Sequence, residues 1–160
     1  MSSSHSRPAE AALPGGLDHS RMTRLLGYNL AQASVPSNKV FDKHIAKVYA
    51  LKQVEFTILQ LASSNRDLSS KQLALALNIP APNLSVILDR LQARELLKRT
   101  RSEADRRVQF IRLTAKGTSL ANKADATASQ MEQELLRHLS DAEQAMLFEL
   151  LRKVAVHRKV

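Results

Sequence analysis

Ser69-Ser70-Lys71-Gln72-Leu73-Ala74-Leu75-Ala76-Leu77-Asn78-Ile79-Pro80-Ala81-Pro82-Asn83-Leu84 is the stretch on which the fold turns. Ser69 and Gln72 have the spacing of a capping box, in which the hydroxyl takes the Gln72 N–H and the Gln72 side chain reaches back. Leu68 and Leu73 stand where a hydrophobic staple packs. Leu73, Ala74 and Leu77 repeat at helical spacing, and Asn78 tolerates the left-handed conformation that ends a helix. Ile79-Pro80-Ala81-Pro82 is a tight connector, because a residue before proline is pushed out of the helical region. Pro82 suits the first turn of a second helix, where a missing N–H costs nothing. Leu84, Ile87, Leu88 and Leu91 line one face of that helix. Asn83, Ser85, Val86, Asp89 and Arg90 fall largely on the others. Two helices joined in this way make a helix-turn-helix candidate.

The residues that follow narrow the reading. Leu96-Leu97-Lys98-Arg99-Thr100 reads as a strand, 101–106 as a polar turn, and 107–113 as the returning strand. Thr114-Ala115-Lys116-Gly117 then caps another helix. A hairpin directly behind the second helix is a wing. The string Asp105-Arg106-Arg107-x-x-x-Ile111-x-Leu113-Thr114-x-x-Gly117, with Leu88-Asp89-Arg90-Leu91 upstream, resembles the MarR family of winged-helix transcription regulators. The resemblance runs from about Leu17 to the C-terminus. It implies a mainly α fold: a winged helix-turn-helix with a two-stranded β wing and with dimerisation helices at both ends. Two departures stand out. Pro80 replaces a common capping Ser or Thr, which predicts a late helix start. Glu95 replaces a common Gly, which predicts a different geometry at the helix end.

Composition sets the wider bounds. The chain has 160 residues, 44% hydrophobic but only 4% aromatic, so Leu, Ala, Val and Ile must fill the core. Net charge is +9, which favours an anionic partner. Between Asp89 and Lys116 nine basic residues face four acidic ones, whereas from Met131 to Val160 the two signs balance at five each. The charge is thus concentrated at the reading head, where a helical protein-binding adaptor built on a degenerate winged helix, the alternative reading, has no use for it. There is no Cys, which excludes disulfides and thiol-based sensing. Five scattered histidines and four glycines offer no catalytic constellation, phosphate loop or metal pair, so no enzyme, metal or cofactor is expected. No apolar run approaches the ~20 residues of a membrane span. The first residues lack the apolar core of a secretory signal. The expectation is a cytoplasmic protein.

In order, residues 1–16 read as a disordered tail. Residues 17–47 read as the N-terminal dimerisation helix, 48–116 as the winged helix-turn-helix and 117–160 as the C-terminal dimerisation helices. Met22, Leu25, Leu26, Asn29, Leu30 and Ala33 form a stripe. Pro36 then predicts a kink or break. Lys52–Ser63 is a helix with Val54, Ile58, Leu61 and Ala62 inward. Ala115–Leu139 is long, and Ser140-Asp141-Ala142-Glu143 is a second capping box.

The candidate DNA-binding residues are Pro82, Asn83, Ser85, Val86, Arg90, Arg101, Asp105, Arg106 and Arg107. Asn can pair with adenine, Arg with guanine, and Val can pack on a thymine methyl in the major groove. Arg90 could instead pair with Asp89 or Glu95, and Asn83 could simply cap its helix. The resemblance places Arg107 in the minor groove, oriented by Asp105. A narrow minor groove attracts arginine on physical grounds alone. Arg106 is assigned to a phosphate. The expected partners are a pseudo-palindromic double-stranded operator, a second copy of the chain, and a small aromatic effector that releases a repressor from DNA. Arg21, Tyr28, Asn29, Gln32 and His44 are candidates to bind a phenol or carboxylate.

Overall fold

The computed structural model describes residues 15–101 and 109–157, and the chain divides into two compact units at Ser37/Asn38. In chain order the elements begin with α1 (Leu26–Phe41), a π-helical turn (Asp42–Ala46), α2 (Lys47–Tyr49), α3 (Gln53–Ser64) and β1 (Leu68–Ser69). They continue with α4 (Ser70–Leu77), α5 (Ala81–Ala93), β2 (Leu97–Arg101), β3 (Gln109–Leu113), α6 (Ala115–Leu136) and α7 (Asp141–Val156). No helix among the described residues is long and apolar enough to cross a membrane.

Local chemistry accounts for the helix-turn-helix. Ser69 Oγ accepts the Gln72 N–H at 3.2 Å while Gln72 Oε1 accepts the Ser69 N–H at 2.8 Å, which closes the capping box. Asn78 adopts φ 52° and ends α4 in the left-handed conformation. Helix α5 begins at Ala81 with Pro82 in its first turn and the Leu84 N–H on Pro80 O at 3.0 Å. The late start predicted from Pro80 is therefore not found. Its absent side-chain cap is offset by proline's fixed φ. Leu84, Leu88 and Leu91 are buried on one side of α5. Each such burial contributes roughly 1.5–3 kcal/mol. That outweighs the helix-propensity cost of Asn83, Ser85 and Val86, up to about 0.7 kcal/mol apiece.

The far end of α5 also corrects an expectation. Glu95 takes φ 59°, the geometry a glycine would supply. Its N–H bonds Gln92 O at 2.9 Å and the Leu96 N–H bonds Leu91 O at 3.0 Å. These are the two bonds of a Schellman motif, so the glutamate makes the same bend.

The wing strands pair antiparallel, with Leu97 opposite Leu113 and Arg101 opposite Gln109. A third, very short strand joins them: Leu68 pairs with Ile111, so the order is β1-β3-β2. This fastens the start of α4 to the wing. Behind the sheet, Ile45, Leu51, Ile58, Leu59, Leu73, Leu97 and Ile111 are fully buried together with the α5 leucines. Phe41 and Phe56 meet edge to face at 5.8 Å. Helix α6 lies against α3, where Gln60 Nε2 donates to Ala121 O at 3.0 Å. It ends at Leu136, a turn earlier than its apolar stripe suggested, and Leu139 belongs to the turn before the Ser140 cap.

The predicted interruption at Pro36 is displaced. Helix α1 runs through Pro36, and the irregularity follows it as the π turn. The missing N–H removes one hydrogen bond. Phe41 and Ile45, 6% and 0% exposed, hold the chain beyond it.

Candidate nucleic-acid interface

Helix α5 turns its leucines inward and leaves Pro82, Asn83, Ser85, Val86, Asp89 and Arg90 exposed. Val86 is 57% exposed, a large apolar side chain with no internal role. Pro82, Asn83 and Val86 recur at helical spacing, so they form one outward row at the N-terminal half of the helix. Ser85 stands beside them, and its carbonyl accepts Arg99 Nη2 at 3.2 Å. That bond ties α5 to β2. Asn83 makes no side-chain capping bond at the helix start; α5 is entered through Pro80 with none.

The basic residues are less free than their number suggests. Arg99 is bound to Asp89 at 2.7 Å, Arg112 to Asp67 at 2.9 Å and Lys116 to Glu95 at 3.2 Å. Arg90 faces neither Asp89 nor Glu95. Its Nη1 lies 3.6 Å from Oε1 of Glu55, on α3. Arg94 Nη1 lies 3.8 Å from Glu55 Oε2 and donates to Ala50 O at 2.8 Å, while Nη2 donates to Tyr49 O at 3.2 Å. Lys98 and Arg101 are exposed and make no ion pair among the described residues.

Sequence reasoning missed Glu55, although its signal was present. Leu51, Glu55, Ile58, Leu59 and Ala62 share one helical stripe, so the acid occupies an apolar-face position. It is 3% exposed. Its Oε2 accepts the Lys52 N–H at 3.0 Å, which caps α3.

Arg101 ends β2 at the wing's tip-ward end, exposed. Asp105, Arg106 and Arg107 lie outside the described residues.

The candidate effector residues are distributed between the two units. In the first, His19 Nδ1 and the Tyr28 hydroxyl are hydrogen-bonded, and Asn29 Nδ2 donates to Thr23 O and Leu25 O at 2.7 and 2.8 Å. The Asn29 amide is thereby committed to its own backbone. Gln32 is half-buried and Arg21 exposed. In the second, His44 Nε2 meets Glu134 Oε2 at 2.7 Å, and Lys43 Nζ donates to the same carboxylate at 3.0 Å. Those hydrogen bonds, Lys43's first, hold the Glu134 carboxyl below its usual range.

Comparison with known proteins agrees with this geometry. The MarR family model matches residues 51–108, the helix-turn-helix and wing region. MhqR of Bacillus subtilis, an HTH-type transcriptional regulator, is 31% identical over 130 residues, 81% of this chain and 89% of its own. The transcriptional repressor CouR, solved bound to a 23-mer DNA duplex, is 31% identical with a TM-score of 0.79. That match covers 88% of this chain and 99% of CouR. BpsR of Bordetella bronchiseptica, whose DNA binding is regulated by 6-hydroxynicotinic acid, is 26% identical with a TM-score of 0.74 over 84% of this chain and 95% of its own. The capped helix-turn-helix and the paired strands behind it are the fold of these relatives, and the chain belongs to the MarR family of DNA-binding transcription regulators.

Proposed function

We propose that this chain is a homodimeric repressor that holds a pseudo-palindromic operator and leaves it when a small aromatic phenol or carboxylate binds. The observation that carries the DNA half is the exposed row Pro82, Asn83 and Val86 on a helix fixed from behind by three buried leucines. A rigidly backed helix is what the major groove admits, with its N-terminal residues at the base edges. Asn83 is assigned to an adenine and Val86 to a thymine methyl. Arg101 and Arg106 take phosphates, and Arg107, oriented by Asp105, takes the minor groove. The repressor and effector halves rest on relatives: CouR is a repressor, and an aromatic acid regulates BpsR. In this chain Arg21 is the effector candidate with a free guanidinium; it makes no ion pair among the described residues.

The test is titration of the chain onto DNA from upstream of its own gene, with hydroxybenzoates, cinnamates and neutral phenols added. Arg107→Ala weakens operator binding by roughly 1–3 kcal/mol, as for loss of a groove contact. Arg106→Ala weakens operator and random DNA alike and flattens the salt slope by about one unit. Arg21→Ala keeps operator affinity but loses release. Wild-type affinity in Arg107→Ala sinks the wing assignment; no release by any compound at millimolar concentration sinks the effector reading.

A further inference from the structure

Glu55 is the one buried charged side chain among the described residues, and both cations facing it come from the end of the helix that carries the reading row. Its two oxygens are used differently. Oε2 takes the Lys52 N–H at 3.0 Å and lies near Arg94. Oε1 faces Arg90 at 3.6 Å, an ion-pair distance beyond a good hydrogen bond. Arg94 is anchored besides by the Ala50 and Tyr49 carbonyls, and Ala50 is itself held at φ 51°. Among the described residues Arg90 has only the acid, and its side chain is 46% exposed. The four residues Glu55, Arg90, Arg94 and Ala50 line one cleft of about 630 Å³ between the α2–α3 connector and α5.

Arg90 therefore has a choice that the other cations of the head lack. It is exposed enough to reach outward and attached by charge rather than by a directional bond. A DNA phosphate would compete for it. Moving there would leave Oε1 of a desolvated carboxylate without its cation, the costly way to break a buried pair. We infer that Glu55 is a positioning residue that withholds Arg90 from DNA, so that α5 reads through its N-terminal row and its sequence-independent grip is limited. This rests on the reading that α5 enters the major groove. It also removes Arg90 from the base-reading candidates.

The experiment measures binding of the full chain to an operator duplex and to a random duplex across a salt series. Glu55→Gln keeps an oxygen for the Lys52 N–H and puts an uncharged NH2 group where Oε1 faced Arg90. Random-duplex affinity then rises at low salt, its salt slope steepens by about one unit, and discrimination between the duplexes falls. One added phosphate contact means a further loss of roughly 3.5-fold when salt rises fourfold. The double variant Glu55→Gln with Arg90→Ala returns random-duplex affinity and slope to wild-type values, which repair of a merely structural defect would not do. An unchanged slope in Glu55→Gln overturns the inference. So does a double variant whose slope falls below wild type, since Arg90 would then have been a phosphate contact all along. If Glu55→Gln melts too low to measure, the Arg90 Nε–Hε resonance of the wild-type chain decides: unmoved on operator binding supports withholding, displaced overturns it. A wild-type chain that binds neither duplex overturns the groove reading itself, and this inference with it.

Discussion

A methyl group on Gly117 would lie 1.8 Å from the carbonyl oxygen of Leu96 and 2.8 Å from its carbonyl carbon. Both are backbone atoms, and the same oxygen accepts the Thr114 N–H at 3.1 Å, so it has little room to retreat. Gly117 is thus the last letter of the wing signature because α6 starts in contact with the exit of α5. Gly117→Ala is expected to cost about 1–3 kcal/mol, the usual range for overpacking. It is read as a lower urea midpoint at unchanged m. Glu95 carries the opposite prediction. A non-glycine residue in the left-handed region costs roughly 1–2 kcal/mol. Its exposed Lys116 pair returns about 0–1 kcal/mol. Glu95→Gly should leave stability level or raise it by up to about 2 kcal/mol; a clear loss would show that the ion pair dominates. At this scale the capping residues were legible in sequence, because a cap depends on neighbours three residues away. Glu55 and the contact at Gly117 were not, because their partners lie on other elements.

Among the elements, α4, α5, the wing strands and both capped helices could be read from local spacing. The π turn and β1 could not. A π turn has no propensity signature; here it follows a proline and is fixed by Phe41 and Ile45 in the core. It also places Lys43 and His44 against Glu134 of α6, a link that binds the π turn to that helix. Glu134's folded pKa is depressed below its ordinary value of 4.5. The sign follows from linkage: the contribution is present above the unfolded value and is lost as pH falls through the folded one. Thermal melts of wild type and Glu134→Gln should therefore differ near pH 6 and converge progressively below about pH 4.5. Curves that keep a constant gap through this range would show that the carboxylate's charge contributes nothing to the link.

At the level of the whole molecule, the sequence's charge concentration proved to be partly internal: Arg90, Arg94, Arg99, Arg112 and Lys116 all face acids, and which acids they meet is set by tertiary contacts. Of the described cations between Asp89 and Lys116, Lys98 and Arg101 make no ion pair among the described residues. The homodimer proposed above has a candidate surface. Helix α7 has no buried residue and exposes Met146, Leu147, Phe148, Leu150 and Val154. Separately, Met22, Leu25, Leu26 and Leu30 are exposed in the N-terminal unit. Apolar rows of this kind are where association surfaces form. A charge in the centre of the α7 row would be buried unpaired in a dimer but solvated in a monomer. Leu150→Glu should therefore halve the mass seen by light scattering at micromolar concentration while leaving the single-chain core folded, since Leu150 is 51% exposed there. Tethering two heads raises operator affinity by about 10²–10⁴ over one. The variant should lose that factor on the full operator and nothing on an isolated half-site. Half-sites should lie about one helical turn, roughly 10 base pairs, apart. Inserting half a turn between them should reduce wild-type binding to the half-site level and leave Leu150→Glu unaffected. A Leu150→Glu monomer that holds the full operator as tightly as wild type would show that each chain reads DNA alone.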